Sequence, residues 1–300
     1  MPSPFYESIR KATPRLYLSQ FFNTYDHRQP LAHKKHQRMS INPKPDEGTA
    51  QRFEILYQSP KVLARRRKAH QMLGLRLGER VLDVGFGPGF YAAEMAEAVG
   101  SGGRVDGIDT SENMLALAKA RCAKLSWVTL QLGDAAQLPY PDSTFTAVLV
   151  SAVYSYVADL TKALSELHRV LRPGGRALII DLDWDTLVWH STDPVLMSRI
   201  TSVWQAQYAD PHLPRTLAPR LQQAGLQVEQ LESNVMLSTE IDPYVEGVTN
   251  LMSAAASGHQ GITPEEVAAW EADLQQLVSS GAYFFSLNQY LFLVRKPAQS

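Results

Sequence analysis

One cysteine in 300 residues, Cys122, leaves no material for a disulfide framework or a thiolate metal cluster. No metal site is expected, and the thiol usage suits a reducing cytoplasm. Long apolar runs are also missing. No stretch of about 18 apolar residues offers a membrane span, and the opening Met1-Pro2-Ser3-Pro4-Phe5-Tyr6-Glu7 lacks the charged-then-apolar order of a secretory leader. Charge of one sign is scarce in net terms. The 29 Lys and Arg nearly balance the 30 Asp and Glu, giving a formal net charge of -1, so no global field draws the molecule to nucleic acid or an anionic membrane. A cytoplasmic protein with a small-molecule partner is expected.

What is present describes an ordinary globular chain, 45% hydrophobic and 20% charged. Two local basic patches stand out. Arg10, Lys11, Arg15, Arg28, Lys34, Lys35 and Arg38 lie in an N-terminal extension or cap over residues 1–50, with a linker at Asn42-Pro43-Lys44-Pro45-Asp46. Arg65-Arg66-Arg67-Lys68 lies in a helical pattern running from Gln51 to Leu75, and a charge run on a helix predicts a solvated face.

From residue 80 the hydrophobic period alternates. Short apolar runs at 80–84, 104–108, 128–132, 145–151 and 176–182 predict buried parallel strands. Helical patterns lie at 91–99, 111–123, where Ser111 is a plausible N-cap, and 159–171. Arg172-Pro173-Gly174-Gly175 is expected to end the last of these and turn the chain into the fifth strand. Strands alternating with helices imply a doubly wound, Rossmann-like α/β fold with a mostly parallel sheet. Strands near 226–235 and 283–294 complete seven. Residues 51–300 are expected to form one domain, with 51–184 as its ligand-binding half and 185–282, rich in Trp, Tyr and His at its start, as a substrate or lid region.

Gly85-Phe86-Gly87-Pro88-Gly89 falls between the first strand and the first crossover helix, where an open α/β sheet binds ligands. A dinucleotide loop needs G-x-G-x-x-G, and Phe90 stands where the third glycine belongs. Asp83, two positions before the first glycine, would repel a diphosphate. It suits a ligand carrying ammonium and sulfonium charges, as S-adenosylmethionine does. Asp109 ends the second strand, placed to accept from both ribose hydroxyls of either cofactor. Asp134 closes the third, where a carboxylate can accept from an adenine amino group.

Four blocks then resemble the class I S-adenosylmethionine methyltransferases, most closely the branch with the ubiquinone and menaquinone C-methyltransferases. They are Val81-Leu82-Asp83-Val84-Gly85-Phe86-Gly87-Pro88-Gly89, Gly107-Ile108-Asp109-Thr110-Ser111-Glu112-Asn113-Met114-Leu115, the stretch Gly133-Asp134-Ala135 through Phe145, and Leu167-His168-Arg169-Val170-Leu171-Arg172-Pro173-Gly174-Gly175. The resemblance implies that Gly85, Gly87 and Gly89 wrap the methionine moiety and Asp83 holds its amino group. It implies that Asp109 grips the ribose, Met114 packs on the adenine, Asp134 and the Ala135 backbone read its edge, and Ser151 faces the amino-acid end.

Methyl transfer from a sulfonium needs alignment and dryness more than a catalytic side chain. The expected substrate wall combines Tyr154 and Tyr156 after the fourth strand with Trp184, Trp189 and His190 after the fifth. His190, with Tyr154 behind it, is the candidate general base, while His168 reads as structural. Rival functions are a nicotinamide-dependent oxidoreductase, a non-catalytic S-adenosylmethionine-binding protein, and an RNA methyltransferase recruited through the basic extension.

Overall fold

A computed structural model describes residues 47–298. The linker at 42–46 and the basic patch from Arg10 to Arg38 lie outside the described residues. The described chain opens with α1 (Glu47–Tyr57) and α2 (Pro60–Leu73), so the single helical pattern expected from Gln51 is divided. Pro60 is the cause, because proline disfavours helical backbone at the residue before it. Ser59 is accordingly extended and accepts from the Val62 N–H as N-cap, and Gly74 closes α2 in the left-handed region.

The sheet follows the predicted rhythm. Strands β1 (Arg80–Val84), β2 (Arg104–Asp109), β3 (Val128–Leu132), β4 (Phe145–Ser151) and β5 (Leu171–Leu182) are parallel, joined in part by α3 (Phe90–Val99), α4 (Glu112–Arg121) and α5 (Leu160–Val170). Ser111 caps α4 as expected, accepting from the Met114 N–H. After β5 come β6 (Val188–Trp189), α6 (Pro194–Gln205), α7 (Pro214–Gln223), β7 (Gln227–Ser238), α8 (Pro243–Ala256), α9 (Pro264–Ser279) and β8 (Phe285–Arg295). The order is β3-β2-β1-β4-β5-β8-β6, with antiparallel β7 on the other edge of β8. Among the described residues there are eight strands where seven were expected, since the two residues of β6 are too few to leave a periodic signal. The Arg172-Pro173-Gly174-Gly175 segment also differs from expectation. Helix α5 has ended at Val170, and the segment is looped out inside β5, between the pairs Phe145 with Leu171 and Ala147 with Arg176.

The pleat sends alternate side chains to two buried layers. Leu82, Val84, Val148 and Val150 pack with α5 and α7, while Val81, Ala147 and Leu149 pack with α2, α3 and α4. A third core holds Trp184, Trp189, Trp204 and Trp270 among α6, α8 and α9, and it includes Leu56 of α1 and Val62 of α2. The first two helices therefore join the sheet to the inserted helices. Strand order reverses between β1 and β4, which sets the crevice at their carboxyl ends, the place where such sheets take ligands.

Candidate active site

The loop after β1 is shaped by backbone that side chains would obstruct. Gly85 has φ +71°, and a Cβ there would lie 2.2 Å from Cγ2 of Val153. Gly89 has φ +83°, and its Cβ would lie 2.7 Å from the Ala118 backbone in α4. Both positions require glycine on two counts. Gly87 donates its N–H to Asp109 Oδ2 at 2.9 Å, and Ser111 donates to Asp109 Oδ1 at 2.9 Å. Asp109 thus ties the loop to the end of β2 and still keeps lone pairs on each oxygen. Burial raises its carboxyl above the ordinary value, and the backbone N–H bonds oppose that rise.

Asp83 is in a different situation. It is 1% exposed, and its Oδ2 has no hydrogen-bond partner among the described residues. Burial, with Asp109 and Glu94 adding repulsion, pushes its carboxyl up to about 8. A buried charge without a partner shifts its pKa to escape ionisation. Ser151 at the end of β4 is also buried with an unpartnered Oγ. Met114 is buried at the start of α4, and beyond β3 Ala135 is buried beside exposed Asp134, which accepts from the Ala136 N–H at 2.8 Å. Because β3, β2, β1 and β4 are parallel neighbours, Asp83, the three glycines, Asp109, Met114, Asp134, Ala135 and Ser151 all lie along one edge.

A layer that the sequence did not disclose covers this edge. The Tyr57 hydroxyl of α1 lies 4.0 Å from where a Cβ of Gly87 would be. Its ring stacks on Phe90 at 6.0 Å, and the Arg66 and Arg121 guanidinium groups lie 4.7 and 3.5 Å from the Phe90 centroid. Phe90, which breaks the dinucleotide pattern, anchors the covering helices. The run at 65–68 is not the solvated face expected. Arg65 and Arg66 are 7% and 3% exposed, because α2 turns that side toward α1 and the loop. Lys68 pairs with Glu232 and Lys61 with Asp242.

The expected substrate wall divides. Tyr156 stacks on Tyr208 at 4.4 Å, and Trp184 meets Trp204 and Tyr208 at 5.5 and 5.6 Å. Asp181, at the end of β5, is 1% exposed, and burial raises its carboxyl to about 6. The other three expected residues make their contacts in other surroundings. Tyr154 belongs to the core against α5 and α7, and burial raises its phenol, which weakens it as an acid at neutral pH. Trp189 is core of the inserted helices, donating to the Tyr283 hydroxyl at 2.9 Å and packing on Trp270 and Phe285. His190 is exposed, held by β6 pairing with β8, with Nδ1 2.8 Å from the Ala282 carbonyl. His168 of α5 packs beside Gly225, and burial lowers its pKa. Asp183, Asp185 and His212 converge within 4.8 Å, but Arg215 lies 2.6 Å from Asp183 and 3.0 Å from Asp185, so a cation already serves that cluster.

Residues 82–179 match the family described as "Methyltransferase domain". An uncharacterised transposon protein of Streptomyces fradiae is 44% identical over 115 residues, 38% of this chain and 33% of that protein. Demethylmenaquinone methyltransferase of Staphylococcus aureus is 39% identical over 122 residues, 41% of this chain and 51% of the enzyme. The chain therefore spans a third to a half of the curated relatives it matches. In structure it resembles phosphoethanolamine N-methyltransferase 2 of Haemonchus contortus, solved with S-adenosyl-L-methionine, with a TM-score of 0.57, 22% identity, and coverage of 85% of this chain and 58% of that one. Over residues 82–179 this chain is thus similar in sequence to the methyltransferase domain family, and its fold is shared with the solved methyltransferase.

Proposed function

We propose that this protein transfers a methyl group from S-adenosylmethionine to a small organic acceptor, on oxygen, nitrogen or carbon. The observation that carries the reading is Asp83, a buried carboxylate with an unpartnered oxygen beside a loop stripped of side chains. Such a group ionises when an ammonium or sulfonium arrives to pair with it, whereas a diphosphate would hold it protonated and gain nothing from it. The names of the relatives and the match over residues 82–179 support the same reading.

The residues present fit the cofactor. Asp83 would take the methionine ammonium, with Gly85, Gly87 and Gly89 flanking the chain and Ser151 at its amino-acid end. Asp109 has lone pairs free for the ribose hydroxyls, Met114 offers an apolar face to the adenine, and Asp134 with the Ala135 N–H suits the adenine edge. When bound, the cofactor supplies a methyl carbon activated by its sulfonium and open to in-line displacement. The protein's own work is then to align the acceptor and keep water out. Tyr57 and the α1–α2 layer close the loop from above, and the cluster of Tyr156, Trp184 and Tyr208 around buried Asp181 is the best-supported acceptor wall. His190 has no part in it. The absence of any helix among the described residues long and apolar enough to cross a membrane, with Cys122 as the lone thiol, supports a cytoplasmic location.

Isothermal titration with S-adenosylhomocysteine and with NAD separates this reading from an oxidoreductase. Micromolar binding of the first and none of the second at millimolar concentration is expected, and the reverse pattern overturns it. Release of S-adenosylhomocysteine during incubation with a metabolite library then separates a transferase from a protein that only binds the cofactor.

A further inference from the structure

Two successive arginines on α2 enter the interior, and only one finds an anion there. Arg66 Nε lies 2.8 Å from Glu94 Oε1, and its Nη1 donates to the Tyr57 carbonyl. Arg65 is 7% exposed, forms no ion pair among the described residues, and leaves Nε without a hydrogen-bond partner. Its polar neighbours are the hydroxyls of Tyr57, Tyr91 and Tyr244, and its Cζ lies 5.7 Å from the Tyr57 ring. Phenols leave most of its five N–H donors unanswered by charge. Unlike Asp83, which escapes its unpaired burial by holding a proton, a guanidinium cannot neutralise itself in a protein.

Shared neighbours place Arg65 at the amino-acid end of the site. Tyr91 lies beside both Arg65 and Ser151, and Tyr57 feels both Arg65 and Asp83. An unpaired cation, and a carboxyl that gives up its proton when a cation arrives to pair with it, are together complementary to a zwitterion. A phosphate would satisfy Arg65 but meet Asp83 as a like charge, whereas an α-amino acid group answers both. We propose that Arg65 binds the carboxylate of the cofactor's methionine moiety, opposite the ammonium held by Asp83; this rests on the cofactor reading above.

The test compares two ligands on the full chain by isothermal titration at pH 7. S-adenosylhomocysteine carries the amino-acid group, and 5′-methylthioadenosine has the same nucleoside and thioether without it. Arg65→Met should weaken S-adenosylhomocysteine roughly 10- to 150-fold, the worth of hydrogen bonds to a charged group. It should change 5′-methylthioadenosine less than about threefold, which also shows that the variant is folded. Arg65→Lys, keeping the charge but losing the planar fork, should fall between, and it serves alone if the methionine variant does not fold. Equal weakening of both ligands, or of neither, overturns the role of Arg65. It would leave Arg65 either a structural group or one serving the acceptor. Wild-type protein that ignores S-adenosylhomocysteine overturns the cofactor reading itself, which is a separate result seen before any variant is made.

Discussion

Both the carboxyl edge of the sheet and the aromatic insertion bury polar atoms without partners, but of different kinds. At the edge the orphans belong to ionisable groups, the Asp83 carboxyl and the permanently charged Arg65, under a loop whose glycines admit no side chain. In the insertion they are neutral, the indole N–H groups of Trp184, Trp204 and Trp270. A neutral unmade hydrogen bond costs about 1–3 kcal/mol, which dense aromatic packing can offset. An unpaired buried charge costs several kcal/mol, and packing has no answer to it. The comparison teaches that aromatic density alone marks a core, while unanswered charge marks a place kept for a ligand.

The largest expected effect tests the first half of that claim. Trp270 is 1% exposed and meets Trp189 edge to face at 5.4 Å. Trp270→Ala should destabilise the fold by about 3–5 kcal/mol, read by denaturant unfolding. Its affinity for S-adenosylhomocysteine, measured where the variant is still folded, should change less than about threefold. A collapse of affinity in folded protein would show that the insertion and the edge are one energetic unit.

A smaller effect with a pH signature tests the second half. Asp83 is raised to about 8 in the folded protein, chiefly by burial, against about 3.9 unfolded. Below about pH 4 both states hold the proton. As pH rises from there toward 8 only the folded state does, so stability declines across that window, and the contribution is gone above it. Asp83→Asn removes this titration. Ligand-free melting temperatures of variant and wild type should diverge in the variant's favour from pH 5.5 to 8.5, while the variant binds S-adenosylhomocysteine at least roughly tenfold more weakly. A gap in melting temperature that does not vary with pH would remove Asp83 as the titrating group.

The edge was legible in the sequence because backbone geometry dictates residue type there. Gly85 and Gly89 have conformations and neighbours that exclude a side chain, and apolar strands such as Val81-Leu82-Asp83-Val84 are buried on both faces. The helices were less legible. Arg65-Arg66-Arg67-Lys68 reads as a solvated face, and which side of α2 turns inward is decided by α1 and α8, far away in the chain. Helix α6 was hidden in a stretch noticed for its rings, although Asp193 caps it and Pro194 opens it. Residues after β5 were expected at the cofactor edge because the parallel strands deliver theirs there. The antiparallel return of β8 instead captures Val188 and Trp189 as β6 and carries the following residue to the surface.

That residue, His190, gives the smallest expected effect and the sharpest test of how the two regions divide the work. Its ring is exposed, its Nδ1 is held by the Ala282 carbonyl, its backbone N–H by Phe284, and Asp273 on α9 is the charge it acts on. None of these groups belongs to the glycine loop. His190→Ala should therefore leave the rate of S-adenosylhomocysteine release within about twofold once an acceptor is found, since removing a positioned general base would lower it roughly 10²- to 10⁴-fold. A loss of that size, with cofactor affinity unchanged, would mean that the loop after β6 reaches the acceptor during turnover and that the aromatic insertion carries chemistry after all.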